Sequence, residues 1–154
     1  MKKINKKIIR KRVFETNSSA TNALIFDASG MEPSKLPMDK DGYILTDFGL
    51  FDYGAGEFWS QEDKLSYLVT NCYYLGGWDE DITAEDNYHF KHLEEAICEY
   101  TGAKGIRITH KNKDWGIDHQ IQPEYSLPFV EEWDPGTIQR FVFNKYVGLL
   151  ISND

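Results

Sequence analysis

The stretch SQEDKLSYLVTNCYYLGG, residues 60–77, carries the clearest structural signal in this chain of 154 residues. Its apolar side chains recur at steps of three and four, which is the spacing of one face of an α-helix. They are Leu65, Leu68, Val69, Cys72 and Leu75. Ser60 and Asp63 form a variant of the capping box that starts a helix, and Gly76 followed by Gly77 is typical of a helix end. The stretch therefore predicts an amphipathic helix that needs an apolar surface to pack on.

A second amphipathic helix is predicted after the first. We expect Thr83 to be its N-cap, with Asp86 three residues later, and Gly102 to be its stop signal. The side chains at helical spacing that we expect to face inward are Phe90, Leu93, Ile97 and Tyr100.

Runs rich in β-branched and aromatic residues surround the two helices and predict short strands. These runs are residues 7–14, 24–26, 43–46, 106–110, 115–121, 138–143 and 146–152. Because short turns separate the members of the last two pairs, we expect two antiparallel hairpins. The sequence thus predicts a single α+β domain over residues 1–154, with a mostly antiparallel sheet and two main helices packed on one face.

The composition narrows the class of protein. With 41% hydrophobic and 14% aromatic residues, the chain is too apolar to be intrinsically disordered. No apolar run approaches the ~18 residues that span a membrane, so we expect no membrane partner. Cys72 and Cys98 both fall in predicted helices, which favours a reduced, cytoplasmic setting over a structural disulfide.

The formal net charge of −8 is distributed unevenly along the chain. Residues 1–12 form a basic N-terminal segment with seven of the 17 basic residues and no acidic one, and residues 13–154 carry ten basic and 25 acidic residues, or −15. The basic segment could contact a nucleic-acid backbone while the acidic body repels it. Alternatively, it could fold back on acidic surface, or form an edge strand that its lysines protect from aggregation.

Residues 12–22, RVFETNSSATN, place a cluster of small hydrogen-bonding side chains directly after a strand-like run. If Ser18 or Ser19 caps a helical turn, free backbone N–H groups and hydroxyls face the same way and form an anion site. The alternative is an elaborate cap that satisfies only its own backbone. The candidate residues for binding phosphate or substrate are Arg12, Thr16, Asn17, Ser18 and Ser19.

Asp118, His119 and Gln120 form the polar centre of a predicted strand. Asp118 and Gln120 share one face of such a strand, while His119 points to the other. If His119 faces Glu15 and the hydroxyls that follow it, the set suits acid–base chemistry on a phosphodiester or another ester. The candidate catalytic residues are then Glu15, Asp118 and His119, with Gln120 contacting substrate. The alternative is a histidine on the solvent face of an edge hairpin.

His89 and His92 lie three residues apart on the second predicted helix, a spacing that could hold a metal ion. Neither a Cys-x-x-Cys nor a His-Glu-x-x-His pattern accompanies them. Because the ligand set is incomplete, we expect no metal and no cofactor.

Two of these stretches carry a resemblance to a known group of proteins. Residues 12–19, RVFETNSS, resemble the opening of small phage and mobile-element proteins that begin Arg-x-Val-Phe-Glu-Thr-Asn-Ser-Ser-Ser-Ser-His-Ser. The same group carries Ile-Asp-His-Gln-Ser in its second half, which residues 117–120 match, and Ile121 replaces the final serine. It closes with a Phe-Asn-containing hairpin and an Asn-Asp, similar to residues 143–144 and 153–154.

The resemblance implies a phage or prophage protein of a bacterial host, since members of the group are of that origin and some look like anti-CRISPR proteins of Gram-positive hosts. This chain departs from the group at residues 20–23, where Asn22 stands in place of the histidine. If that histidine is catalytic in the group, this member binds its target without turnover.

These observations lead to three functional hypotheses. The first is a cytoplasmic counter-defence protein that acts on RNA or a ribonucleoprotein. In its catalytic form it is an RNase-like phosphodiester hydrolase with His119 as general base and Glu15 as its partner or the acid. The second is a non-catalytic acidic binder that blocks a basic nucleic-acid groove of a host effector. Its phosphate-mimicking residues would be Asp79, Glu80, Asp81, Glu131 and Glu132. A virion or regulatory component without a defence role is a third option. The sequence does not fix the oligomeric state.

Overall fold

The computed structural model of the protein describes residues 7–10, 28–51, 56–75, 85–117 and 133–151. Within these ranges the fold is α+β, with three α-helices, seven short strands and a 3-10 turn at Ala28–Gly30. The strands are β1 (Lys7–Arg10), β2 (Tyr43–Thr46), β3 (Leu50–Phe51), β4 (Gly56–Phe58), β5 (Gly105–Ile108), β6 (Gly116–Ile117) and β7 (Val147–Ile151). The helices are α1 (Gln61–Leu75), α2 (Tyr88–Thr101) and α3 (Pro135–Phe143).

Helix α1 confirms the first prediction from the sequence. It starts after Ser60, whose hydroxyl accepts a hydrogen bond from the backbone N–H of Asp63 at 3.0 Å. This bond satisfies one of the N–H groups that a helix leaves unpaired at its start. The side chains predicted to face inward are buried at the four positions whose burial is described: Leu65, Leu68, Val69 and Cys72.

Helix α2 ends where predicted but starts later. Gly102 closes it in the left-handed conformation, with φ of 77°, as expected for a glycine stop signal. Its N-cap is Asn87 and not Thr83, because the Asn87 side chain accepts from the backbone N–H of Phe90 at 3.0 Å. The amide of Asn87 also donates to the carbonyl of Cys72 at 3.3 Å, which ties the start of α2 to α1.

Helix α3 overturns the predicted hairpin at the end of the chain. Residues 138–143, predicted as a strand, are helical, and β7 follows them after a short turn. Asp134 caps the helix by accepting from the backbone N–H of Thr137 at 2.7 Å, and Pro135 occupies the first helical position, where it is tolerated. Ile138, Phe141 and Val142 are buried at the i, i+3, i+4 spacing of a helical face.

The described strand pairs do not confirm a mostly antiparallel sheet. β7 lies between β1, which it pairs in parallel, and β4, which it pairs antiparallel. The other two pairs, β2 with β5 and β3 with β6, are both parallel. The predicted hairpin of residues 106–110 and 115–121 is therefore wrong in its described part, because β5 and β6 each pair with an earlier strand.

Strand β1 contains part of the basic N-terminal segment, for which the sequence left three alternatives: contact with nucleic acid, folding back on acidic surface, or an edge strand. Residues 7–10 pair with β7 over four residues, from Lys7 opposite Val147 to Arg10 opposite Leu150. Among the described strands β1 pairs only with β7, so within this part of the chain Lys7 and Arg10 lie in an edge strand, as the third alternative predicts.

The core lies where α1 packs against α2, α3 and β6. Phe90, Leu93 and Ile97 are fully buried, as predicted, while Tyr100 is half-buried and stacks on Phe143 with ring centroids 4.1 Å apart. Cys72 is also buried, and burial raises the pKa of its thiol, which makes it unreactive. None of the described helices has the length and apolar character that crossing a membrane requires.

Candidate functional site

The site residues predicted from the sequence lie outside the described residues. They are Arg12, Glu15, Thr16, Asn17, Ser18, Ser19, Asp118, His119 and Gln120. The acidic residues 79–81 and 131–132 and the expected cap Thr83 lie outside them as well. The structure does describe the strands that lead into the two motifs, since β1 ends two residues before Arg12 and β6 ends at Ile117, directly before Asp118.

A cleft of about 410 Å³ lies between residues 32–35, the start of α1 and the turn that joins α3 to β7. Its lining residues are Glu32, Lys35, Trp59, Ser60, Gln61, Glu62, Lys64, Val142, Phe143 and Lys145. Clefts of this size accommodate small molecules.

Lys64 is the unusual residue of the cleft, because it is a lysine with no exposed surface. Its ammonium group donates to the backbone carbonyls of Asn144 at 3.0 Å and Val147 at 2.8 Å. Burial disfavours the charged form and lowers the pKa of Lys64 to about 8, although the negative charge of Glu32 opposes this effect. Lys64 thus ties the start of α1 to the turn between α3 and β7.

The wall formed by residues 32–35 is fixed to α1 and α3 through hydrogen bonds. The side chain of Gln61 accepts from the backbone N–H of Lys35 at 2.6 Å and donates to the carbonyl of Pro33 at 3.0 Å. The backbone N–H of Glu32 donates to the carbonyl of Phe143 at 2.9 Å. These bonds fix this wall of the cleft to the two helices.

The charged side chains of the cleft give it an excess of positive charge. Glu32 pairs with Lys35 at 2.6 Å, and this hydrogen bond lowers the pKa of Glu32, so its carboxylate is ionised at neutral pH. Glu62 and Lys145 are both exposed. Three lysines therefore face two glutamates in a protein whose net charge is −8.

Trp59 provides an aromatic part of the lining. A Cβ atom on Gly148 of β7 would lie 2.6 Å from the Trp59 ring, so only a glycine allows this close approach. The indole N–H of Trp59 donates to the carboxylate of Glu57 at 3.0 Å.

The position of Lys64 favours a structural role over covalent catalysis, because its side chain has no exposed surface. A lysine acts as a nucleophile when its neutral amine is free to attack. Lys64 is mostly protonated below its pKa of about 8, and two of its three N–H bonds are directed at carbonyl oxygens. A buried ammonium of this kind holds its position and contributes a fixed positive charge.

Of the two histidines that were considered as metal ligands, His89 and His92, the second has a structural role. The Nε2 atom of His92 lies 2.6 Å from the backbone carbonyl of Trp133, directly before the cap of α3. Among the described residues, no three His, Cys, Asp or Glu side chains come together as metal ligands.

Lys64 was missed by the sequence reasoning, although a signal for it exists. It precedes Leu68 by four residues and Cys72 by eight, so it continues the apolar face of α1 by one turn. A lysine on the apolar face of a helix either extends its end into solvent or finds buried acceptors. Which acceptors it finds depends on the turn between α3 and β7, some 80 residues away along the chain.

Comparison with known proteins gave no match among protein-family models, curated proteins or solved structures.

Proposed function

We propose that this protein is a phage or prophage counter-defence protein that acts in the cytoplasm of a bacterial host on RNA or a ribonucleoprotein. The observation that carries the proposal is the joint occurrence of residues 12–19 and 117–120, which resemble two motifs of one group of small phage and mobile-element proteins. The charge distribution supports it, because a basic segment on an acidic chain suits a protein that meets both a nucleic acid and a basic effector.

In the catalytic form of the proposal, the two motifs act together on a phosphodiester. His119 is the general base and Glu15 is its electrostatic partner or the acid. Arg12, Ser18 and Ser19 hold the phosphate.

A second candidate function is a non-catalytic acidic binder, favoured by the charge of −15 in residues 13–154 and by Asn22 at the place of the group's histidine. Such a binder occupies a basic nucleic-acid groove with carboxylates in place of phosphates. Exposed carboxylates of this kind occur in the described part on the first turn of α1, at Glu62 and Asp63.

One experiment separates the two candidates. Purified protein is incubated with a guide RNA, alone and with its effector, and both RNA cleavage and effector inhibition are measured. Loss of imidazole acid–base catalysis in His119→Ala should slow cleavage ~100- to 10,000-fold. The acidic binder should tolerate that change and instead lose inhibition on charge reversal at Glu131 and Glu132, with an affinity that falls steeply as salt rises.

The matched control is His110→Asn. His110 is exposed and has a φ of 54°, a backbone conformation that asparagine tolerates better than alanine does. Retention of full inhibition by His119→Ala, with no RNA cut under any condition, contradicts the catalytic form. If neither His119→Ala nor the charge reversal affects inhibition, both candidates fail.

A further inference from the structure

Basic residues are concentrated in the stretch 104–113, which contains β5 and the start of the loop that follows it. Residues 13–154 contain ten basic residues, and four of them lie within these ten positions, which include no acidic residue. They are Lys104, Arg107, Lys111 and Lys113. The stretch therefore reverses the sign of the charge locally in an acidic protein, which favours a negatively charged partner.

The structure gives Arg107 a role within the protein, but it gives none to the charges of the two lysines that follow. The guanidinium group of Arg107 donates to the carboxylate of Asp39 at 2.7 Å and lies over the ring of Tyr43, 3.8 Å from its centroid. Lys111 and Lys113 are exposed, and in the described part of the chain their ammonium groups form no ion pair. These two charges are accessible to a partner.

The loop of residues 109–115, between β5 and β6, is held in a fixed shape. The half-buried carboxylate of Asp47 accepts from the backbone N–H groups of Lys111 at 2.8 Å and Asn112 at 2.9 Å. The side-chain amide of Asn112 donates to the carbonyl of Phe48 at 3.0 Å, and the ring of Trp115 stacks on that of Phe48 with centroids 4.3 Å apart. A loop that is ordered in advance loses less conformational entropy when it binds.

The exposed side chains of the loop suit a phosphate backbone better than they suit another protein. Residues 110–114, His-Lys-Asn-Lys-Asp, are all exposed, and none of them is apolar. The centre of a protein–protein interface is enriched in aromatic residues and depleted of lysine. Lysine and asparagine side chains, by contrast, are common donors to the phosphate oxygens of nucleic acids.

We propose that the loop of residues 109–115 binds the phosphodiester backbone of RNA through Lys111 and Lys113, independently of the RNA sequence. This inference rests on the proposed function, because it names the surface through which the protein meets RNA. The loop leads into β6, whose last residue, Ile117, directly precedes the predicted motif at residues 118–120. The two lysines thus precede that motif by only a few residues.

The test measures how the binding of RNA depends on salt. A short, labelled single-stranded RNA is titrated with the full-length protein by fluorescence anisotropy over a series of sodium chloride concentrations. Each lysine that neutralises a phosphate of a single strand contributes about 0.7 to the slope of log affinity against log salt. The double variant Lys111→Ala/Lys113→Ala should therefore reduce the magnitude of this slope by about 1.4, and weaken binding about tenfold or more at low salt.

Three control variants locate the effect in the two lysines. Lys91→Ala/Lys145→Ala removes the same amount of charge from exposed positions on α2 and on the turn after α3, and should leave the slope unchanged. His110→Asn alters the loop without altering its charge at pH 7, and should bind RNA like the unmodified protein. Asp114→Asn removes the negative charge that opposes a phosphate at the loop, and should strengthen binding. Thermal denaturation of each variant verifies that it is folded.

The proposal is overturned if Lys111→Ala/Lys113→Ala keeps the affinity and the salt slope of the unmodified protein, or if the Lys91 and Lys145 control loses as much. It is also overturned if the unmodified protein does not bind RNA. Poly-glutamate serves as a competitor that carries carboxylates in place of phosphates. Competition as effective as that of unlabelled RNA overturns the proposal in favour of an acidic protein partner.

Failure of this inference is distinct from failure of the proposed function, because the assay needs neither RNA cleavage nor an effector. RNA binding through the loop by a protein that neither cuts RNA nor inhibits an effector would contradict the proposed function alone. Cleavage or inhibition that Lys111→Ala/Lys113→Ala retains in full would contradict this inference alone.

Discussion

Lys64 should give the protein an unusual dependence of stability on pH. Its pKa is about 8 in the folded chain and 10.5 as the ordinary value of a lysine. The folded state therefore releases the Lys64 proton at a lower pH than the unfolded state does. Between about pH 8 and 10.5 the unfolded chain binds more protons, so the contribution of Lys64 to the free energy of unfolding rises with pH.

The magnitude follows from the difference of about 2.5 between the two pKa values. Each pKa unit corresponds to 1.36 kcal/mol, so the contribution of Lys64 should rise by about 3 kcal/mol across this pH range. Below about pH 8 the charged form carries the full cost of its burial, and above about pH 10.5 that cost is gone.

The variant Lys64→Met isolates this effect, because methionine has similar length and cannot titrate. We expect its free energy of unfolding to be close to that of the unmodified protein at pH 7. There the loss of two hydrogen bonds, at about 1 kcal/mol each, is offset by the absence of a buried charge. At pH 10.5 the unmodified protein should be more stable than the variant by about 3 kcal/mol.

The assay is urea unfolding of both proteins at pH 7, 8, 9, 10 and 10.5. The difference between the two curves cancels the titration of groups that they share. The reasoning is refuted if this difference is constant with pH. It is also refuted if the unmodified protein loses stability relative to Lys64→Met as the pH rises, because the carbonyls of Asn144 and Val147 would then favour the charged form more than burial disfavours it.

Two further predictions concern stability. Asp134→Ala should lower the free energy of unfolding by about 1 kcal/mol through loss of the α3 cap, with the exposed loop residue Asp114→Ala as the unaffected control. The hydrogen bond from the backbone N–H of Thr137 lowers the pKa of Asp134. The stabilising effect of Asp134 should therefore be complete above the ordinary pKa of aspartate and disappear as the pH falls through the lowered pKa of the folded state. Denaturation of both proteins at pH 2 to 6 measures this loss. Deletion of residues 1–10 should destabilise the protein by about 2 kcal/mol or more in urea denaturation, because it removes β1 and its hydrogen bonds to β7; unchanged stability would contradict the pairing.

The sequence predicts those parts of the fold that depend on neighbours along the chain. The start of α1 and the end of α2 follow from a cap and a stop signal within a few residues of the helix, whereas Gly76 and Gly77, the predicted stop signal of α1, lie outside the described residues. The start of α2 was predicted wrongly because threonine and asparagine are both good N-caps, so Thr83 and Asn87 compete. Asn87 also donates to the carbonyl of Cys72 in α1, a contact between helices that local sequence signals do not reveal. Strand β2 has the predicted bounds of residues 43–46.

The errors occur where the structure depends on distant residues or on two competing signals. Residues 138–143 contain enough β-branched and aromatic residues to indicate a strand, but Asp134 and Pro135 provide a helix start directly before them. The parallel pairing of β1 with β7 joins the two ends of the chain, and hydrophobic pattern alone does not specify such partners.

The two candidate sites also differ in whether they can be recognised from the sequence. Clustered polar residues at 15–19 and 118–120 are visible in the sequence, and their roles stay predictions. The Lys64 cleft is not visible, because it arises from three segments that meet only in the folded chain. A sequence pattern shows that Lys64 sits on an apolar face, but not that its ammonium group donates to the carbonyls of Asn144 and Val147.

The same observations explain how a fully buried lysine is tolerated at this position. The ammonium group of Lys64 donates to the carbonyls of Asn144 and Val147, and these two hydrogen bonds join α1 to the turn before β7. Both acceptors are neutral, so they offset only part of the cost of burying the charge, and the pKa of Lys64 is lowered to about 8. If Lys64 has this structural role, its two hydrogen bonds and the cost of its charge nearly cancel at pH 7, and the hydrogen bonds prevail once the proton is lost at higher pH. Lys64→Met removes both effects together, which is why the difference between the two proteins should appear only as the pH rises.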